Sequence, residues 1–280
     1  MVLMMNSSFL MQVRRERAVL NLEGAEAENF LHNVVTADIL GLAIGGATYA
    51  ALLTPQGKIL FDFFVLKTGE GYLLDCAASQ LEELMKRLMF YRLRAKVTIS
   101  HRSDLEVGVS SDRPTGEIVY ADPRTPLMGW RIIAERGKLL EGSGYEQARI
   151  VRGLADSDGD IGSGKLFPHE ANLDQLGAVS FSKGCYVGQE VVSRMEHRST
   201  ARSRILPVQF DGATPPRDAE IKSADRTVGT VLSSAGNMAL ALIRLDRLAE
   251  AEQPLLTGGV ITRVQKSPWV NYDVPSKDYT

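Results

Sequence analysis

The sequence has little cysteine, little net charge and no long apolar run. Only two of its 280 residues are cysteines, Cys76 and Cys185, which excludes a disulfide framework and suits a reducing compartment. The formal net charge of -2 argues against a strongly basic nucleic-acid binder. No apolar stretch approaches the roughly 20 residues that a bilayer-spanning helix needs. We therefore expect neither a nucleic-acid partner nor a membrane partner.

The N-terminal segment also lacks the pattern of a signal peptide. Its charges, at residues 14–17, follow the apolar residues instead of preceding them, and no small-residue cleavage site is evident. The shares of hydrophobic residues (44%) and charged residues (24%) are ordinary for a globular protein. Together these features predict a cytoplasmic protein.

Local patterns predict short strands and helices throughout the chain. Apolar runs at 48–53 and 59–66 flank the sequence TPQGK, whose proline and glycine predict the turn of a β-hairpin. Residues 79–82 (SQLE) match a capping box at the start of an amphipathic helix. From residue 204 onward, short strands alternate with turns, which predicts a small β-barrel of about five or six strands.

The segment with the most chemical character is residues 181–190, FSKGCYVGQE. The cation of Lys183 and the N-terminus of a helix predicted from Gly188 would both favour the thiolate form of Cys185, which is the reactive form. Gly184 and Gly188 allow close approach of the backbone. Simple packing of Cys185 is the alternative, because free cysteines are often just buried. The polar neighbours favour a functional thiol.

Asp62 is a single carboxylate in an otherwise apolar strand. One interpretation is that it ends or edges the strand, or pairs with Lys58 or an arginine. The other is that burial tunes its pKa and that the carboxylate faces a ligand. The strand pattern alone leaves both open.

Three familiar motifs are incomplete. Residues 159–165, GDIGSGK, nearly spell a phosphate-binding loop, but Leu166 stands where the motif needs a hydroxyl. His169 begins what looks like a zinc-protease helix, but Leu173 replaces the second histidine. No spacing among His169, His197 and Cys185 matches a zinc pattern, so we expect no metal site.

Residues 179–194, VSFSKGCYVGQEVVSR, resemble the signature of the YgfZ-type folate-binding proteins. These are relatives of the glycine-cleavage T-protein, an aminomethyltransferase, and include mitochondrial iron–sulfur assembly factors. Supporting similarities occur at FLHNVVTADI (30–39), LLTPQGKIL (52–60), FPHEANLDQLGAVSFSKGC (167–185) and VGTVLSSAGNMALALIR (228–244). The resemblance thus covers nearly the whole chain.

This resemblance implies an α+β fold of the T-protein type, with a folate-binding body at residues 1–201 and a C-terminal β-barrel at residues 202–280. The implied ligand is tetrahydrofolate or a one-carbon derivative, and the implied partners are iron–sulfur client proteins or assembly factors. Cys185 and Asp62 are the implied catalytic residues. The implied folate-binding motif residues are Lys183, Gly184, Tyr186, Gly188, Gln189 and Glu190.

Two departures separate the chain from true aminomethyltransferases. Those enzymes carry two adjacent aspartates where this sequence has Phe61 and Asp62, and they generally lack a cysteine at the position of Cys185. The resemblance therefore implies an accessory factor for iron–sulfur cluster assembly or repair that acts through Cys185. The alternative is an aminomethyltransferase or another tetrahydrofolate-dependent one-carbon transferase, with Asp62 as base or electrostatic stabiliser. Whether the protein is an enzyme stays open.

Overall fold

The computed structural model describes residues 8–116, 118–198 and 201–275. Its first sheet is antiparallel, with strand order β3-β4-β5-β2-β6. The strands are β2 (Arg17–Glu23), β3 (Ala47–Leu53), β4 (Ile59–Lys67), β5 (Gly71–Ala77) and β6 (Thr98–His101). The predicted hairpin is confirmed as β3 and β4, which pair from Ala47 opposite Leu66 to Leu53 opposite Ile59. Nearly every residue of β4 and β5 is buried, as expected for strands covered on both faces.

A second antiparallel sheet packs beside the first, in the order β1-β7-β9-β8. Its strands are β1 (Gln12–Val13), β7 (Leu105–Ser110), β8 (Ile118–Ala121) and β9 (Trp130–Glu135). Apolar residues of both sheets belong to one core cluster, including Tyr49 and Phe64 from the first sheet and Val107 and Ile133 from the second. The two sheets therefore form one α+β body.

The C-terminal strands close into a six-stranded barrel in the order β10-β13-β12-β11-β14-β15. They are β10 (Ser203–Phe210), β11 (Glu220–Ser223), β12 (Arg226–Ala235), β13 (Met238–Arg244), β14 (Leu255–Thr257) and β15 (Val260–Val264). Pairing of Val208 with Val264 joins the last strand to the first. The predicted barrel is confirmed, and it has its own apolar core.

Five α-helices are found in the described residues: α1 (Ala27–Val34), α2 (Leu81–Arg92), α3 (Tyr145–Val151), α4 (Gln189–Arg198) and α5 (Leu245–Ala249). The predicted capping box at the start of α2 is wrong. A 3-10 turn at Ala78–Gln80 precedes the helix, and no side chain caps it. The Ser79 hydroxyl instead donates to the carboxylate of Asp158 at 2.6 Å. Ser79 therefore bonds Asp158, which is distant in sequence, and does not cap its own helix.

The glycine-rich segment that resembles a phosphate loop is built into the body. Residues Ser157–Ile161 form one π-helical turn. Within it, the Asp160 carboxylate accepts hydrogen bonds from Arg149 at 2.8 Å and from the Ser233 backbone N–H of β12 at 3.0 Å. This segment therefore links the body to the barrel. No helix within the described ranges is long and apolar enough to cross a membrane.

Candidate functional site: the cysteine loop and the buried Asp62

Residues 178–188, called the cysteine loop below, connect the body to α4. Two hydrogen bonds fasten the start of the loop to the segment after α1. The Ser180 N–H donates to the Thr36 carbonyl at 2.9 Å, and the Thr36 hydroxyl donates to the Ala178 carbonyl at 2.6 Å. The helix itself begins at Gln189, four residues after Cys185. The thiol thus belongs to a loop that the protein holds in place from both ends.

Lys183 fixes this loop to the C-terminal end of α1. Its ammonium donates to three backbone carbonyls, those of His32, of Val35 at 2.7 Å and of Ala37 at 2.9 Å. An ammonium group has three donors, so all of them are engaged, and a cation suits the negative end of a helix. Burial lowers the pKa of Lys183 to about 8. Activation of the thiol by Lys183 stays a prediction, while the observed bonds give the residue a structural role.

Gly188 brings the loop into direct contact with the turn of the β3–β4 hairpin. Its φ is +82°, and a Cβ at this position would lie 2.6 Å from the Thr54 carbonyl oxygen and 3.0 Å from the Gly57 Cα. Gly57, with φ +81°, is equally constrained, because its Cβ would meet Val191 at 2.9 Å. Only glycine permits this approach without strain. Gly184, by contrast, has open space around it and no positive φ.

Cys185 is exposed and Cys76 is buried. The Cys185 side chain lines a cleft of about 440 Å³ together with Pro55 of the hairpin turn and Gln189, Glu190 and other residues at the start of α4. Gln189 and Glu190 are engaged only weakly. The Gln189 amide lies 3.4 Å from the Gly184 carbonyl, and Glu190 pairs on the surface with Arg194 at 2.6 Å. Polar groups at the cleft are thus available to a partner molecule.

Tyr186 anchors the loop next to the cysteine. Its ring is buried in the main core cluster, with the Lys183 ammonium 5.1 Å from the ring centre. Its hydroxyl has no hydrogen-bond partner among the described residues. Burial raises the pKa of Tyr186 to about 12, so the hydroxyl keeps its proton at neutral pH. Tyr186 therefore supports the backbone on which Cys185 is displayed.

Asp62 lies inside the body on β4, where only 5% of the residue is exposed. Its Oδ2 accepts hydrogen bonds from the Tyr49 hydroxyl at 2.7 Å and the Ser157 hydroxyl at 2.8 Å. Burial raises the pKa of Asp62. The interpretation that Asp62 edges its strand or pairs with Lys58 is wrong, because the residue lies within β4 and its carboxylate bonds two hydroxyl groups. An arginine, Arg17, does favour its charged form, although the two form no direct ion pair within the described residues. Asp62 is not among the residues that line the Cys185 cleft.

We expect the free energy of unfolding of Asp62→Asn to rise relative to that of wild type as the pH rises. The raised pKa means that the folded wild type binds more protons than the unfolded chain between the unfolded and folded pKa values. Wild-type stability therefore falls as the pH rises through that window, while the neutral variant escapes this loss. Urea unfolding of both proteins at several pH values from acid to neutral should show the variant gaining relative to wild type. A difference that does not depend on pH would contradict this account.

The folate-binding residues implied by the resemblance fit that ligand only in part. Oδ1 of Asp62 makes no hydrogen bond within the described part of the chain, so the carboxylate keeps one unused acceptor atom. Lys183 does not fit as a partner for the glutamate tail, because its three donors are already used. Gly188 is packed against the hairpin. Folate binding by the motif residues and by Asp62 stays a prediction.

A buried ionic network, missed in the sequence, joins the two sheets. Asp75 of β5 receives the Arg17 Nε of β2 at 2.7 Å and the Arg131 Nε of β9 at 2.8 Å. Both arginines and the aspartate are almost fully buried. Burial alone would raise the pKa of Asp75, but Arg131 and Arg17 hold it below its usual value. In the sequence, the only sign of this network is a charged residue within each of three largely apolar strands. That sign does not show which charged residues pair across the sheets.

Three potential metal ligands meet near the C-terminal half of α4. Atoms of His169, Asp174 and Glu196 lie within 4.8 Å of one another. His169 Nε2 is 3.0 Å from the Glu196 carboxylate, and Asp174 pairs with Arg204 of β10 at 2.6 Å. These partners engage both carboxylates, so we interpret the group as a tether that holds α4 to the body and the barrel.

Comparison with known proteins identifies the family of this chain. A family model described as the CAF17 C-terminal beta-barrel domain matches residues 202–272. The mitochondrial iron–sulfur cluster assembly factor IBA57 homolog of Pyricularia oryzae is 31% identical over 284 residues, covering 86% of this chain and 73% of that protein. The chain belongs to the IBA57 family. Human mitochondrial IBA57 is also 31% identical, over 83% of this chain and 76% of the human protein.

The fold agrees with that of a solved structure. The glycine cleavage system aminomethyltransferase T of Bartonella henselae superposes with a TM-score of 0.76, covering 96% of this chain and 88% of that one, at 14% identity. The predicted T-protein-like fold with a C-terminal barrel is confirmed. The predicted resemblance is confirmed for the aminomethyltransferase-like fold and for a family of iron–sulfur assembly factors. The relatives carry the name IBA57 and not YgfZ. The domain boundary at residues 201 and 202 stays a prediction.

The prediction of a cytoplasmic protein is wrong. The IBA57 relatives are named as mitochondrial proteins in the fungus, in human and in mouse, which points to the mitochondrion. The prediction rested on the lack of a signal-peptide pattern and on the unpaired cysteines. Two unpaired cysteines indicate a reducing compartment, but they do not distinguish one such compartment from another.

Proposed function

We propose that this chain assists the assembly or repair of iron–sulfur clusters and that Cys185 is the thiol through which it acts. The observation that carries the proposal is the exposed Cys185 on a loop that Lys183 and Gly188 hold in place, in a chain whose relatives are named as cluster assembly factors. Cysteine thiolates are the usual ligands of iron–sulfur clusters. The cluster would be cargo, not a resident cofactor.

The cysteine count limits how a cluster can be held. Clusters of the common types use about four cysteine ligands. This chain has two cysteines, and Cys76 is buried with its pKa raised by that burial to about 12. Cys185 can therefore supply only one thiolate from this chain, and the other ligands must come from a partner. The implied partners are assembly factors or client proteins that bring their own cysteines.

Alkylation of the native protein tests the role of the thiol. Brief treatment with iodoacetamide should modify Cys185 and leave Cys76 unmodified, as read by peptide mass spectrometry. The alkylated protein should then fail to support cluster insertion into an iron–sulfur enzyme in a purified assay. Cys76→Ala, alkylated in the same way, should be inactivated equally. Full activity after complete modification of Cys185 would reject the proposed role.

We further propose that the body binds tetrahydrofolate or a one-carbon derivative at Asp62. The support is the Asp62 Oδ1 that has no partner within the described ranges, together with the resemblance in sequence. Asp62 would hold the donor edge of the pterin, and the bound folate would supply a one-carbon carrier. Titration of tetrahydrofolate by intrinsic fluorescence should show about tenfold weaker binding to Asp62→Asn, because a charge-assisted hydrogen bond is lost. Undiminished binding would place the folate elsewhere.

A further inference from the structure

The C-terminal half of α2 and the turn after it concentrate positive charge. Residues 84–97, LMKRLMFYRLRAKV, contain no acidic residue, although the whole chain has a net charge of -2. The cations in this stretch are Lys86, Arg87, Arg92, Arg94 and Lys96. Arg87 and Arg94 are exposed, and neither forms an ion pair within the described parts of the chain. Glu83 pairs with Lys86 and acts on Arg87 one turn later, so the excess of positive charge is greatest at the C-terminal end of the helix and in the turn after it.

The same end exposes three large apolar side chains. α2 buries Leu84 and Leu88 against the first sheet, while Met89, Phe90 and Leu93 are 41%, 67% and 81% exposed. Such high exposure means that the side chains of Phe90 and Leu93 project from the surface instead of lining a groove. An exposed apolar cluster of this kind marks an interaction site.

Leu93 is held outward by a strained backbone. It lies directly after α2 with φ +47° and ψ −106°, a conformation that β-carbon-bearing residues rarely adopt. Glycine is the usual residue where a helix ends in a positive φ. A leucine here costs backbone strain and leaves its side chain in water, so neither cost is recovered inside this chain.

We propose that this tip, formed by Met89, Phe90 and Leu93 with Arg87 and Arg94 beside them, binds the surface of an anionic lipid bilayer. Projecting apolar side chains can enter the boundary between headgroups and acyl chains, while the cations contact lipid phosphates. The binding is peripheral and needs no spanning helix. The proposal replaces the expectation of no membrane partner, because that expectation rested only on the lack of an apolar run long enough to span a bilayer. The proposal is independent of the role of Cys185.

Vesicle co-sedimentation of the full chain tests this directly. The protein should pellet with vesicles of phosphatidylcholine and phosphatidylserine, and not with phosphatidylcholine alone. Combining Arg87→Glu with Arg94→Glu should weaken the partition at least about tenfold, since each cation near an anionic surface contributes on the order of 1 kcal/mol. The matched control, Lys138→Glu with Arg217→Glu, makes the same change in net charge at exposed cations elsewhere and should bind like wild type.

Leu93→Gly separates lipid binding from folding. Glycine relieves the positive φ, so the variant should melt at a higher temperature than wild type. It also removes the most exposed apolar side chain of the tip, so its partition onto anionic vesicles should fall about tenfold. The proposal would be overturned if wild type does not bind anionic vesicles or if both charge-reversal pairs lose vesicle binding equally. It would also be overturned if Leu93→Gly binds vesicles as well as wild type does. Capture of wild type by an acidic protein without vesicle binding would overturn it as well.

Discussion

Replacing Asp75 with asparagine is expected to lower the free energy of unfolding by about 4 kcal/mol, because breaking a buried ion pair leaves an uncompensated charge. Here two buried guanidinium groups, those of Arg17 and Arg131, would lose the same carboxylate. Asparagine keeps only one acceptor oxygen, and the Tyr120 hydroxyl, 3.3 Å from Asp75 Oδ2, would have to compete with the two arginines for it. Urea unfolding at neutral pH, followed by circular dichroism, measures the difference.

Asp104→Asn is the matched control for that prediction. Asp104 also pairs with an arginine, Arg102, at 2.9 and 2.6 Å, but the pair lies on the surface. Its loss should cost less than about 1 kcal/mol. If both variants lose similar small amounts of unfolding free energy, the buried ion pairs of Asp75 do not stabilise the packing of the two sheets. The explanation offered for their packing would then fail.

The same network predicts the direction of acid unfolding. The folded pKa of Asp75 lies below its unfolded value, so its contribution is present above the unfolded pKa of roughly 4 and is lost as the pH falls further. The pKa of Asp122, which Arg124 contacts at 2.8 Å, is also lowered: its burial is outweighed by Arg124. Stability should therefore fall in acid, and Asp75→Asn should reduce the slope of that fall.

Gly188→Ala is expected to destabilise the protein by on the order of 3 kcal/mol. The left-handed φ alone costs an alanine roughly 1–2 kcal/mol, and forcing extra volume into a tight contact typically adds about 1–3 kcal/mol. The contact in question is 2.6 Å to the Thr54 carbonyl oxygen, which belongs to backbone and cannot rotate away. Thermal unfolding should report a clear loss.

Gly184→Ala serves as the control in the same loop. The space around Gly184 is open, and its φ is not positive, so an added methyl group meets nothing within 4 Å. Its stability should stay close to wild type. Equal destabilisation by both alanines would contradict the view that Gly188 is structural and that Gly184 is not. Near-wild-type stability of Gly188→Ala would contradict it too.

Local patterns in the sequence predicted most of the fold. The β3–β4 hairpin followed from two apolar runs and a proline–glycine turn, and the C-terminal barrel followed from short strands that alternate with turns. These signals are local, so a single sequence contains them. The capping box failed because Ser79 found a partner in Asp158, far along the chain.

The candidate site was predicted only in part, for the same physical reason. Cys185 and Asp62 stood out by their neighbours, but the partners that decide their roles are distant in sequence. Lys183 bonds carbonyls about 150 residues away, and Asp62 bonds Ser157, 95 residues away. Asp75 went unnoticed because one acid in an apolar strand has no local sign of the two arginines that neutralise it.

The most direct test of the central claim is complementation in cells that lack their own copy of the protein. Activity of an iron–sulfur enzyme is measured with wild type, Cys185→Ser, Cys76→Ala and Gly184→Ala at equal protein levels. We expect background activity for Cys185→Ser and wild-type activity for the other two variants. Full activity with a folded Cys185→Ser protein would contradict it.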